Sequence, residues 1–125
     1  KNTIHFLTCV RILASMAHEF KLVFSEESKR DLKQIYDYIV LNFFSEISAR
    51  RKVDLLLSGS EVLEKIPELG FDVFQKTGKK FLGMENIRIL VIEKYLAVYQ
   101  IDFEENTINI FRFLNIKTNY LRYLR

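Results

Sequence analysis

The sequence predicts an α+β domain with an N-terminal strand, a helical hairpin, a three-stranded antiparallel meander and a short C-terminal helix. Three observations predict it. Residues 25–66 place apolar side chains at helical spacing, and residues 87–114 change to a period of two rich in Ile, Val, Phe and Tyr. The chain is also 125 residues long with 49% hydrophobic content, enough for one buried core and too little for two ordinary domains.

At the N-terminus, "KNTIHFLTCVRILASMA" has a leading lysine, an apolar stretch and small residues at its end, in the manner of a secretory signal. Arg11 interrupts the apolar run, and Met16 is followed by "AHEFKLVFS", which reads as the start of a domain. Residues 1–15 are therefore expected to be an extension outside a single domain of residues 16–125. No window reaches the eighteen or so apolar residues that a transmembrane helix needs. Cys9 is the sole cysteine, so no internal disulfide can form and nothing calls for an oxidising compartment.

"FKLVF" at 20–24 is a short β-rich run that ends at Ser25, a good N-cap followed by Glu26 and Glu27 in the first turn. Leu32, Ile35, Tyr36, Ile39, Val40 and Phe43 then mark one helical face, predicting a helix to about Asn42. Ser45 can cap a second helix, striped by Ala49, Val53, Leu56, Ser60 and Leu63 and weakened by Ser58-Gly59-Ser60, until Pro67 stops it. "IRILVI" (87–92), "LAVYQID" (96–102) and "TINIFRFL" (107–114) are joined by short polar links, which predicts the meander. The first strand should join that sheet at an edge or in its middle. "KTNYLRYLR" predicts the terminal helix.

The charge is uneven. Residues 75–125 carry nine Lys or Arg against five acids, whereas residues 1–74 carry ten against eleven. Such a balance suits an anionic partner on the C-terminal half. Its focus is "KTGKK" at 76–80, which reads either as a solvated turn or as a grip on phosphate. Beyond His18 there is neither histidine nor cysteine, which removes zinc ligation, a Ser-His-Asp triad and a Cys-His pair from the body of the domain. Neither a P-loop nor G-x-G-x-x-G is present. No cofactor or metal is expected.

Chemistry would then fall to Lys, Arg, Tyr or an isolated Glu. That inventory suits cleavage of RNA by its own 2′-hydroxyl, which requires a proton acceptor, cations for the growing phosphorane charge and a proton donor for the leaving oxygen. Crowding makes one of Lys76, Lys79 and Lys80 a candidate proton acceptor. Arg88, opening the first meander strand, offers a fixed fork for phosphate or else is a sheet-edge charge. Arg112 shares strand parity with Ile108, Ile110 and Leu114, so it either lines a concave functional face or pairs with a buried acid. Tyr36, Phe43, Phe71, Phe74, Phe81, Phe111 and Phe113 are expected in the core. Apolar residues of both parities, Ile108 and Ile110 against Phe111 and Phe113, leave more sheet surface than one hairpin covers and predict a partner segment over the remainder.

The ordered set "KLVFSEESKRDLKQIYDYI", "LEKIPELG", "IRILVIEKYLAVYQID" and "IFRFLNIKTNYLRYL" resembles the RelE/ParE superfamily of bacterial type II toxin-antitoxin toxins from about Phe20 to Leu124. The resemblance implies a small cytosolic toxin held inactive by a cognate antitoxin. RelE-like members cut mRNA on the ribosome. The matching residues imply Lys79, Lys80 and Arg88 as catalytic groups and Lys76, Arg112, Lys117 and Tyr120 as RNA-binding ones. ParE-like members instead inhibit DNA gyrase and need no nuclease residues. Many relatives carry an arginine and an acid where this chain has Thr118 and Asn119, which also admits a degenerate member that only binds antitoxin. The basic loop with Arg88 favours the mRNA-cleaving branch, with gyrase inhibition as the alternative.

Overall fold

The computed structural model describes residues 20–118 and 120–125. The expectations for residues 1–15, for His5, Cys9 and His18, and for Asn119 lie outside the described residues. From Phe20 onward the predicted element order holds. Strand β1 (Lys21–Phe24) gives way at Ser25, whose hydroxyl accepts from the Ser28 amide at 3.0 Å and starts helix α1 (Glu26–Phe43). That helix closes on Phe44, which adopts a left-handed conformation with φ 52° and donates its amide to the Val40 carbonyl. Ser45 repeats the capping with the Ser48 amide and starts α2 (Glu46–Glu61).

The predicted α2 stripe is buried at Ala49, Leu56, Ser60 and Leu63. The α-helix ends at Glu61, though, and the chain reaches Pro67 through a tight 3₁₀ turn at Val62–Glu64. Gly59 is a contact point as well as a weak helix former. A Cβ there would meet Ile92 Cγ2 at 2.9 Å, so glycine lets α2 lie close to the sheet.

Two short elements follow that periodicity did not reveal, strand β2 (Phe71–Asp72) and the single-turn helix α3 (Val73–Thr77). The meander is β3 (Ile87–Ile92), β4 (Tyr95–Asp102) and β5 (Thr107–Asn115), and a 3₁₀ turn at Tyr120–Tyr123 takes the place of the terminal helix. The sheet order is β1-β5-β4-β3-β2, with β1 parallel to β5 at one edge and the other pairs antiparallel.

Simple alternation fails in β5. Tyr99 pairs with Ile110 and Val98 with Arg112, so Phe111 is an extra residue in a bulge. The bulge sends Ile108, Ile110 and Phe113 to the core under the helices, and Phe111 and Leu114 to the opposite face. That second face carries its own core of Val73, Phe81, Ile87, Ile89, Leu96, Val98 and Leu114. The chain covers it without a partner. Phe81 stacks on Tyr123 at 5.3 Å, and the backbones of Lys80 and Arg125 exchange hydrogen bonds of 2.9 and 2.7 Å. Sequence periodicity left this face open because α3 and the terminal turn are too short to produce a periodic signal.

One buried phenol fixes the entry into β2. Tyr99 donates to the Pro67 carbonyl at 2.7 Å and accepts from the Gly70 amide at 2.9 Å. Burial pushes its pKa above the ordinary 10.0. Among the described residues, no helix is long and apolar enough to cross a membrane.

Candidate functional site

The "KTGKK" stretch is the end of α3 and the turn that follows it. Asp72 caps the helix by accepting from the Gln75 amide at 3.0 Å, and Gly78 closes it at φ 74°, donating to the Phe74 carbonyl at 2.7 Å. Nothing lies within 4 Å of a Cβ placed at Gly78, so the backbone angle and not space explains the glycine. The three lysines then diverge. Lys76 places its ammonium 4.3 Å from the centre of the Phe71 ring, Lys79 is exposed, and Lys80 donates to Glu85 Oε1 at 3.1 Å.

Arg88 stands on β3 directly opposite Asp72 of β2, with Nη1 4.0 Å from Asp72 Oδ2. Its Nε is buried and has no hydrogen-bond partner. Asp72 therefore faces two ways, capping α3 with Oδ1 and meeting Arg88 with Oδ2. Two grooves adjoin it. One carries Lys80 and Glu85, the other Arg88 and Glu68, and both share Asp72, Gln75 and Asn86. Together their walls hold three carboxylates and two cations. Lys76 and Lys79 lie outside both.

Arg112 occupies a different place, on β5 with β4 lying between it and β3. Its Nε and Nη2 donate to Asp31 Oδ2 at 2.7 Å and Oδ1 at 3.1 Å, and the Phe113 amide also donates to Oδ2 at 3.0 Å. The hydrogen bonds to Asp31 raise the Arg112 pKa further above its ordinary value, with partial burial opposing them. The cause is topological. β1 stops at Phe24, so β5 beyond Ile110 lacks a neighbouring strand, and α1 satisfies that edge instead. Ser25 donates its amide to the Ile110 carbonyl at 3.0 Å and its hydroxyl to the Phe111 carbonyl at 2.8 Å, and Asp31 takes the next amide. Of the two alternatives for Arg112, pairing with a buried acid is the arrangement found. Asp31 was not singled out in the sequence, although it lies on the α1 stripe, four residues before Ile35 and eight before Ile39, where an acid signals a buried partner.

Arg112 also lines a groove of about 310 Å³ between α1 and the C-terminal turn, with Gln34, Tyr38, Tyr95, Arg122 and Tyr123. Arg122 donates from Nη2 to the Tyr123 hydroxyl at 3.1 Å, its guanidinium 5.1 Å from that ring's centre. Lys117 is exposed on the turn after β5, and Tyr120 packs against the second core. The fold thus brings Lys80 and Arg88 to either side of one aspartate, keeps Arg112 apart from them, and gathers Arg112 with Arg122 and Tyr123. Among the described residues, no group of three or more His, Cys, Asp or Glu is placed to hold a metal ion.

Comparison with known proteins agrees with this architecture. The chain is similar to a protein of the chromosomal ParDE toxin-antitoxin system of P. aeruginosa, with 19% identity and a TM-score of 0.62 over 79% of this chain and 98% of the other. It is also similar to a protein of the toxin-antitoxin complex RelBE2 from Mycobacterium tuberculosis, with 17% identity and a TM-score of 0.57 over 78% of this chain and 98% of the other. No curated protein matches the sequence. Residues 22–120 match the family described as the ParE toxin of the type II toxin-antitoxin system parDE, a span running from β1 to the start of the terminal turn. That span takes in the whole sheet except the first residue of β1, and on it the chain belongs to the ParE toxin family of type II toxin-antitoxin systems.

Proposed function

We propose that this toxin acts by binding its target, without cutting RNA, and that the target is DNA gyrase, as the ParE-like resemblance implies. One observation carries the reading: the grooves around Lys80 and Arg88 hold Glu68, Asp72 and Glu85 against those two cations. A polyanionic backbone entering there meets the wrong sign of field. Lys80 and Arg88 each face an acid, and Arg112 is committed to Asp31 at the other end of the sheet. Stabilising a developing phosphorane requires converging, uncommitted donors. Under this reading Arg88 and Arg112 hold the fold together, Lys76 rests over the Phe71 ring and Lys79 is a solvated charge. A cognate antitoxin neutralises the protein, in keeping with the toxin-antitoxin systems to which its structural relatives belong.

Ribosome-dependent mRNA cleavage is the second reading. It is favoured by the exposure of Lys76 at the end of α3 and of Lys79 in the turn that follows, and by the excess of basic residues after residue 74. Inducing the protein in a bacterial host while following translation and plasmid supercoiling separates the two. The binding reading expects supercoiling to change before translation falls, and expects Lys79→Ala and Lys80→Ala to leave growth arrest intact. Early loss of translation, abolished by those substitutions, would support cleavage.

A further inference from the structure

Phe103 is exposed and yet fixed in place. It follows β4, is 63% exposed, and meets the Phe20 ring edge-on at 5.8 Å between centres. The Asp102 carboxylate pins the turn behind it, accepting from the Glu104 and Glu105 amides, both at 3.0 Å. A large apolar side chain held rigid in solvent loses little freedom when a partner covers it, and its burial is favourable.

Beside Phe103 lies the groove of about 350 Å³ that also holds Glu68, Asp72 and Arg88. Its polar groups are unevenly matched. Asp72 Oδ1 caps α3, and Asp72 Oδ2 is 4.0 Å from Arg88 Nη1, beyond hydrogen-bond reach. Glu68 on the wall and Glu104 and Glu105 on the adjoining turn are exposed and, among the described residues, pair with no cation. Gln75 and Asn86 add exposed amide side chains that both donate and accept. An occupant must therefore bring positive charge for the carboxylates and carbonyl acceptors for Arg88 and the amides. It must also bring apolar surface for Phe103 and for Leu69, which is 49% exposed next to Glu68. A phosphodiester backbone carries the wrong charge, whereas a polypeptide bearing lysine or arginine meets all three demands.

We propose that the Arg88 groove and Phe103 form the surface on which the toxin takes its protein target, seating a lysine or arginine of DNA gyrase at Glu68 and an apolar side chain of the same segment over Phe103. The proposal rests on the reading that gyrase is the target. The readout is supercoiling of relaxed plasmid by purified gyrase, with the full-length toxin as inhibitor. Glu68→Lys reverses an exposed charge that no ion pair among the described residues uses, and Phe103→Ser removes the apolar anchor. Each is expected to raise the concentration for half-inhibition about tenfold, Glu68→Lys with the larger loss at low salt. Phe103 also touches Phe20, so urea unfolding accompanies the assay, and where Phe103→Ser is destabilised Glu68→Lys decides alone. Inhibition by both variants at the wild-type concentration would overturn the surface and leave the gyrase reading standing. A wild-type protein that never inhibits gyrase would remove the target and the proposal with it. If both variants instead weaken binding of the antitoxin encoded beside this chain's gene, with gyrase inhibition unchanged, the surface belongs to the antitoxin and the assignment is wrong.

Discussion

Asp31 is the residue on which most of the architecture converges. It is 7% exposed, accepts three hydrogen bonds and ties α1 to the bulged part of β5. Breaking a buried pair by removing one partner is costly because the other charge is left stranded. Arg112 is about a third exposed, so water rescues part of that charge. Asp31→Ala is expected to lose about 2–3 kcal/mol, read as a lower midpoint in urea unfolding at unchanged slope. Tyr99 supplies a second, independent check. Its pKa is raised by burial, so the unfolded chain gives up this proton at lower pH than the folded one. The contribution is fully present below pH 10 and is lost as pH climbs past 10 towards the raised value. Tyr99→Phe removes that alkaline term and also strands the Pro67 carbonyl and Gly70 amide. It should cost about 1–3 kcal/mol at pH 7 and flatten the fall in stability above pH 10, measured as denaturation midpoints across the two ranges. The partner of neither residue could be named from the sequence, because each depends on a contact between positions at least 29 apart.

At the scale of elements, the long ones were legible and the short ones were not. Ser25 and Ser45 announced both helices, and both caps form with the amide three residues on. β3, β4 and β5 run for six to nine residues rich in Ile, Val, Phe and Tyr, long enough for a strand signal to register. β2 and α3 span two and five residues, and no period can be read from either. The bulge at Phe111 was hidden for another reason: it is set by the pairing with β4, and it turns an apparently uniform parity into two faces. Gly70, just before β2, marks how tightly this irregular stretch is packed. A Cβ there would lie 2.7 Å from the Ile89 carbonyl oxygen and 2.7 Å from the Tyr99 ring and hydroxyl. A backbone oxygen and a pinned phenol cannot withdraw. Gly70→Ala is expected to destabilise by about 1–3 kcal/mol, with near-ultraviolet circular dichroism changed by the displaced Tyr99.

For the whole molecule, composition indicated an excess of basic charge towards the C-terminus, yet it could not show where the carboxylates fall. Three lysines within five residues read as a cluster along the chain. Folded, they point to a ring, to solvent and to Glu85. Glu68 and Asp72, which lie before the basic stretch in sequence, come to share grooves with Lys80 and Arg88 through the β2–β3 pairing. The sign of the local field is thus a tertiary property, and the proposed binding role rests on it. The most direct test is supercoiling of relaxed plasmid by purified DNA gyrase in the presence of this protein and of its Lys79→Ala/Lys80→Ala double variant. Comparable inhibition by both proteins is the expected result. A wild-type protein that leaves gyrase unaffected at every concentration, while cutting mRNA on programmed ribosomes only with both lysines intact, would contradict it.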